Sequence, residues 1–173
     1  RYIPYKFKNE GSTYKTDISG LQCNNNEFKV SSSNGNKVIK IGNKHKYISG
    51  KQYYDISYEV EGPFITSDSY QEFYWNITGN RWDATINNAK FNIYLPDDVK
   101  IRYNDLKVFT GNEGEKNTDA SITQNGNIIS GQTSKPLYSE QGLTIAVKLP
   151  AGYITGKTMS VKKNRVQPVI PIS

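Results

Sequence analysis

The sequence is short of the residues on which most catalysis and metal binding depend. Among 173 residues there is one histidine, His45, one cysteine, Cys23, and one methionine. A multi-histidine metal site and a thiolate zinc site are thereby excluded. Asp97-Asp98 has no calcium-loop spacing and belongs to the turn after Leu95-Pro96, so neither a metal nor a cofactor is expected. His45 lies between Lys44 and Lys46 and reads as a surface histidine in a turn rather than a ligand or a base. A lone cysteine cannot close an intramolecular disulfide, so Cys23 is a small filler that leaves the redox compartment open. No apolar run approaches the roughly 20 residues of a membrane-crossing helix, and the first residues show no charged-then-apolar leader. The chain opens on Arg1-Tyr2-Ile3-Pro4-Tyr5, already strand-like and without an initiator Met, and is expected to be an excised fragment.

Aromatic residues are abundant instead: 13 Tyr, 6 Phe and 2 Trp offset a hydrophobic fraction of 35% and a mean hydropathy of -0.69, so the chain can still bury a core. Lys and Arg exceed Asp and Glu by 22 to 16, a formal net charge of +6. The basic residues read as scattered singly or in pairs, with no nucleic-acid motif. They describe a basic soluble surface and not a nucleic-acid partner. Lys162, Lys163 and Arg165 form the one cluster, in the C-terminal tail.

Period-two alternation recurs and helical periodicity does not. Tyr54, Ile56, Tyr58 and Val60 share one strand face, as do Phe91, Ile93 and Leu95, and Leu143, Ile145, Val147 and Leu149. Shorter strands are expected at Tyr2–Phe7, Thr16–Leu21, Glu27–Ser31, Lys37–Ile41, Phe73–Ile77, Lys107–Thr110, Ala120–Gln124 and Asn127–Gln132. Asn34-Gly35 and Asn125-Gly126 separate strand pairs as tight hairpin turns do. Many short strands with no crossover helices give an all-β antiparallel sandwich, immunoglobulin-like or a related Greek key. The remaining helix candidate is a short stretch around Asp68–Glu72, and Gly111–Thr118 reads as a mobile loop. Residues 1–160 are expected to form one domain. Val161–Ser173, with Pro168 and Pro171, is read as an extended linker or edge-pairing tail.

Glu72–Trp82, EFYWNITGNRW, gathers both tryptophans and supplies every candidate site residue: Glu72, Tyr74, Trp75, Asn76, Arg81 and Trp82. Glu72 is the one acid in aromatic surroundings that favour a raised pKa and a proton donor's role. The plainer reading is a carboxylate that caps or pairs, with Arg81 as its partner at a strand end. Trp75, with Phe73 and Ile77, is expected to be buried, and Trp82 to sit at the edge of the same core. Presented to solvent, the rings would suit a sugar. Asn76-Ile77-Thr78 also fits the glycosylation acceptor pattern.

RYIPY, KVIKIG at Lys37–Gly42, ISGKQYYDISYEVEG at Ile48–Gly62, and EFYWNITGNRW followed by AKFNIYLP at Ala89–Pro96 together resemble the YciQ-like family of predicted membrane proteins, a domain of unknown function (DUF2207). The resemblance spans nearly the whole chain. It implies an extracytoplasmic domain ahead of membrane helices in a bacterial protein, and it supplies no catalytic or ligand residues. Family members carry strand-forming residues before the R-x-I-P motif, so Tyr2–Phe7 is expected to be an open sheet edge, covered by Val166–Ile172 or by a second copy. The basic tail would be a stalk near lipid headgroups. The leading expectation is a non-enzymatic module contacting an unidentified protein or envelope partner. The alternative is a carbohydrate-binding module using exposed Trp and Tyr, and a glycan-active enzyme comes third.

Overall fold

A computed structural model of the chain describes residues 1–9, 12–24, 26–96, 99–156 and 160–163. In chain order its strands are β1 (Tyr2–Pro4), β2 (Lys6–Asn9), β3 (Ser12–Lys15), β4 (Asp17–Asn24), β5 (Phe28–Ser33), β6 (Asn36–Ile41), β7 (Asp55–Glu61) and β8 (Phe64–Thr66). There follow β9 (Tyr70–Asn76), β10 (Lys90–Tyr94), β11 (Leu106–Gly111), β12 (Ala120–Asn125), β13 (Ile128–Thr133), β14 (Gly142–Pro150) and β15 (Ser160–Lys163). One 3-10 turn, Tyr103–Asp105, is the sole helical element among the described residues. All pairings are antiparallel, as the alternation requires.

The core lies between two sheets, ordered β11-β14-β9-β8 and β10-β13-β12. Alternation along β14 points Leu143, Ile145, Val147 and Leu149 inward, where register sets Ile145 beside Trp75 and Val147 beside Phe73. Leu106 and Val108 of β11 extend that face, and Ile129, Phe91, Ile93 and Ile122 meet it from the opposite sheet. Each fully buried aliphatic side chain contributes about 1.5–3 kcal/mol. Ala146, on the other face of β14, is buried as well, so this strand is covered on both sides. The N-terminal sheets, β1-β6-β5, β15-β3-β2 and β4-β7, add buried Ile3, Ile39 and Cys23. They reach the sandwich through rings: Tyr58 of β7 lies 6.4 Å from Trp75, and Phe7 of β2 lies 6.3 Å from Tyr74.

Several local expectations are corrected. The stretch around Asp68–Glu72 is not helical: Asp68-Ser69 is the bend between β8 and β9, and Tyr70, Gln71 and Glu72 already belong to β9. Tyr2–Phe7 is broken at Tyr5, because the N–H groups of Tyr5 and Lys6 both donate to the Gly35 carbonyl and the chain there passes from one sheet to another. β1 and β2 each stand at the end of a strand order among the described residues. Asn34 and Gly35 have φ of 47° and 75°, the two positive angles of a type I′ turn. In the second hairpin Asn125 remains in β12 opposite Ile128, and the turn is Gly126-Asn127 with Gly126 at φ 58°, which suits a type II′ turn. The segment after Gly111 is closed by hydrogen bonds: the Glu115 carboxylate accepts from the Asn112 backbone, the Asn112 amide and the Asn117 amide. β15 pairs with β3 as an edge strand. Asp97-Asp98 and residues 164–173, including the proposed edge cover Val166–Ile172, lie outside the described residues.

Candidate functional site

Strand pleat divides the aromatic segment. Phe73 and Trp75 turn inward, with ring centroids 6.4 Å apart and planes 15° apart, and Tyr58 lies against the indole. Trp75 is half-buried where full burial was expected. The reason is the shortness of β8: Phe64 is its last partner, opposite Phe73, so Trp75 extends past the strand that would have flanked it. Glu72, Tyr74 and Asn76 take the outer face. Glu72 stands in mid-strand between Ile65 and Lys148, not at a strand end beside Arg81. Lys148 lies over the Tyr70 ring at 4.3 Å and Arg81 over Tyr2 at 5.7 Å, so the pairing expected between Glu72 and Arg81 is replaced by contacts to rings. Burial first, and then the charges of Glu72 and Glu113, push the Tyr74 hydroxyl above its ordinary pKa.

Beyond β9 the polar groups of the motif are spent on one another. Asn76 donates its amide to Asn80 and accepts the Gly79 N–H at 2.6 Å. The Thr78 hydroxyl accepts the Leu143 N–H at 2.9 Å, and the Trp82 indole donates to the Thr78 carbonyl at 2.8 Å. The Asn76 amide of the acceptor pattern is therefore engaged in the turn. Gly79 has φ 79°, and a Cβ there would meet the Arg1 guanidinium and come 2.9 Å from the Tyr2 carbonyl. Arg1 in turn donates to the Ile77 carbonyl at 2.7 Å. Gln71, buried on the same strand, donates to and accepts from the Ile154 backbone. The segment is a clamp tying β9 to β14 and to the first residues. Only Tyr74 and Trp82, each 38% exposed, show much ring to solvent. Among the described residues Trp82 stacks on no other ring.

The chemistry that the sequence reading passed over is elsewhere. From Phe28 to Tyr54 there is no acidic residue, while Lys29, Lys37, Lys40, Lys44, Lys46 and Lys51 fall within the stretch. The other 16 basic residues balance the 16 acids, so the whole formal +6 resides in this one segment. The available signal was a run without acids; counting bases alone hid it. Its second half is the connection from β6 to β7, where residues 42–55 are exposed without interruption. Tyr47 is 99% exposed, Tyr53 77%, Ile48 59% and Tyr54 48%. His45 is exposed in this loop, as expected, with its N–H on the Asn43 side chain.

Over residues 2–149 the sequence matches the family described as "Predicted membrane protein (DUF2207) N-terminal domain". The chain belongs to this family. It is 26% identical over 113 residues to the Uncharacterized protein YciQ of Escherichia coli (strain K12), a match covering 65% of this chain and 17% of that protein. The chain thus spans about a sixth of the curated relative's length. No solved structure matches.

Shallow depressions among the described residues of the DUF2207 domain include one of about 660 Å³ beside Val99, Ile101 and Asn127 and one of about 430 Å³ beside Lys107, Phe109 and Ser121, with Tyr103 common to both. Neither is lined by any of the six candidate residues. Among the described residues no three His, Cys, Asp or Glu side chains are grouped to hold a metal ion, and no helix is long and apolar enough to cross a membrane.

Proposed function

We propose that this DUF2207 domain is an extracytoplasmic interaction module of a membrane protein, working by contact rather than by catalysis, with the β6–β7 loop as its contact surface. One observation carries the reading: residues 42–54 expose four large apolar side chains among Lys44, Lys46 and Lys51, whereas the aromatic motif of residues 72–82 is engaged internally. Large exposed apolar groups in one patch mark interaction sites; within this one Lys51 lies over the Tyr53 ring at 5.2 Å, so charge and ring are presented together. The extracytoplasmic side belongs to the same proposal and rests on the arrangement that the family resemblance implies, a domain ahead of membrane helices.

Both parts are testable in the full-length protein. Ser49 is exposed and Cys23 is buried, so Ser49→Cys gives one reactive thiol in this domain. A membrane-impermeant maleimide added to intact spheroplasts should label it without lysis; labelling only after lysis would place the domain inside. A photo-crosslinking amino acid at position 47, in native membranes, should give adducts that the same group at Tyr138, on another exposed loop, does not. Equal yields at the two positions would sink the contact reading.

A further inference from the structure

We infer that the β6–β7 loop binds an anionic lipid surface, with Tyr47 and Ile48 entering the headgroup boundary and Lys44, Lys46 and Lys51 lying along the phosphates. The inference rests on the contact reading above and names its ligand. Three features of the loop lead to it.

The first is presentation. At the loop's base the Asn43 side chain donates to Glu27 and accepts the His45 N–H, and the Asn43 carbonyl accepts the Lys46 N–H, forming a compact turn before Tyr47. On the far side Gln52 donates to the Ser49 carbonyl. Gly50 has φ 71° with nothing within 4 Å of where a Cβ would stand, so the chain reverses there in open space. Tyr47-Ile48 is therefore held between two turns, away from the β-sheets.

The second is electrostatic. The loop belongs to the acid-free stretch that holds the whole net charge, and the two acids that flank it stand at its base, Glu27 hydrogen-bonded to Asn43 and Asp55 opening β7. Each lysine near an anionic bilayer strengthens association by about fivefold. The third is the kind of apolar group. Tyrosine, with an apolar ring and a polar tip, suits the membrane boundary. Ile48 does not stack on sugars or bases but gains from leaving water for acyl chains. An anionic glycan or a nucleic acid would account for the lysines and tyrosines and leave Ile48 without a role.

The test is co-sedimentation of the 173-residue chain with phosphatidylcholine vesicles, with and without 30% phosphatidylglycerol. Binding is expected only to the anionic vesicles, and weaker at higher salt. The K44Q/K46Q/K51Q variant should bind about a hundredfold more weakly. Y47S/I48S, with every charge kept, should bind at least about tenfold more weakly. K29Q/K37Q/K40Q removes the same charge from the strands and should lose much less. Thermal melts overlaying the parent's would show that the two loop variants are folded, as substitutions in an exposed loop should be, and the same melt checks the strand variant, in which Lys37 leaves the Tyr5 ring. Equal binding to neutral vesicles, or anionic binding indifferent to Y47S/I48S, overturns the inference. So does capture of the chain by soluble polyglycerol phosphate that is equally indifferent to Y47S/I48S. Protein adducts at position 47 in native membranes without vesicle binding would leave the contact reading standing and the lipid inference overturned; absence of both would overturn both.

Discussion

Trp75 loses most of its surface against Phe73, Tyr58 and the Ile145 row, whereas Trp82 gives one N–H to a carbonyl and keeps 38% of its surface in water. Truncation costs follow the area and the cavity left behind, so Trp75→Ala should destabilise by about 2–4 kcal/mol, below the range for a fully enclosed ring, and Trp82→Ala by about 1 kcal/mol. Urea denaturation of the two variants checks the order; a larger loss at Trp82 would contradict the packing described. Tyr74 is informative through its proton. Its folded pKa is raised, so the neutral phenol is the form the fold favours. The associated stability is present below the ordinary tyrosine pKa of about 10 and is lost as pH rises through the folded value. Tyr74→Phe should therefore flatten the alkaline fall in stability, and wild type minus variant absorbance should show one phenol ionising late. Asp105 and Glu115 have the opposite sign: hydrogen bonds from Arg102 and Asn112 depress their pKa values, and that stabilisation is present above the ordinary carboxylate range and lost in acid. At this scale the sequence showed which residues were unusual but not their partners. Arg81 looked like a mate for Glu72 in one dimension, and only the register across β14 and the return of Tyr2 to the turn reveal where each charge goes.

Strands with clean alternation were legible because one face of each is apolar: β7 and β10 follow the pattern almost to the residue, and β14 keeps it in sequence although it is covered on both sides. β3 and β8 were not anticipated, since three or four residues hold too little alternation to distinguish a strand from a turn, although each pairs with the strand beside it in sequence, β2 and β9. β15 begins the segment read as a linker or edge-pairing tail, but its partner, β3, is distant in sequence and could not be read from the tail itself. The second hairpin shows the same limit. Asn-Gly points to a tight turn, but whether Asn or Gly begins it depends on which residues pair, here Asn125 with Ile128. Register also explains Gly131, central in β13 between Phe91 and Ile122. Its missing side chain makes room for the Phe91 ring, and a Cβ would collide with that ring and come 2.8 Å from the Ser121 carbonyl. Gly131→Ala should destabilise by about 1–3 kcal/mol through overpacking, despite alanine's better strand conformation. Combining it with Phe91→Leu should cost less than the two separate losses added together. A neutral Gly131→Ala, or a strictly additive pair, would mean that the ring moves aside freely.

For the molecule as a whole, charge and core are segregated. The two packed sheets from Phe64 to Pro150 carry the main apolar clusters, while the excess positive charge lies between Phe28 and Tyr54. Neither composition nor any single motif shows this, because a net charge is a sum and conceals where its parts lie. The arrangement also predicts how the folded chain first yields to a protease. Trypsin needs a flexible, accessible stretch of backbone, and Lys44, Lys46 and Lys51 lie within the longest uninterrupted run of exposed residues described. β6 is held on both sides by β1 and β5, and β7 by β4, so cutting the connection between them removes no sheet pairing. Limited trypsin digestion should therefore cut first, among the described residues, at these three lysines. The two pieces should stay together on gel filtration and separate only in denaturant, with the melting temperature of the nicked protein lowered by a few degrees. Earlier cleavage at Lys90, Lys107 or Lys148, on the sandwich strands, would show that the loop is shielded. Dissociation of the pieces without denaturant would show that the β4–β7 and β3–β15 pairings and the contact of Arg1 with Ile77 are too weak to hold the two pieces together.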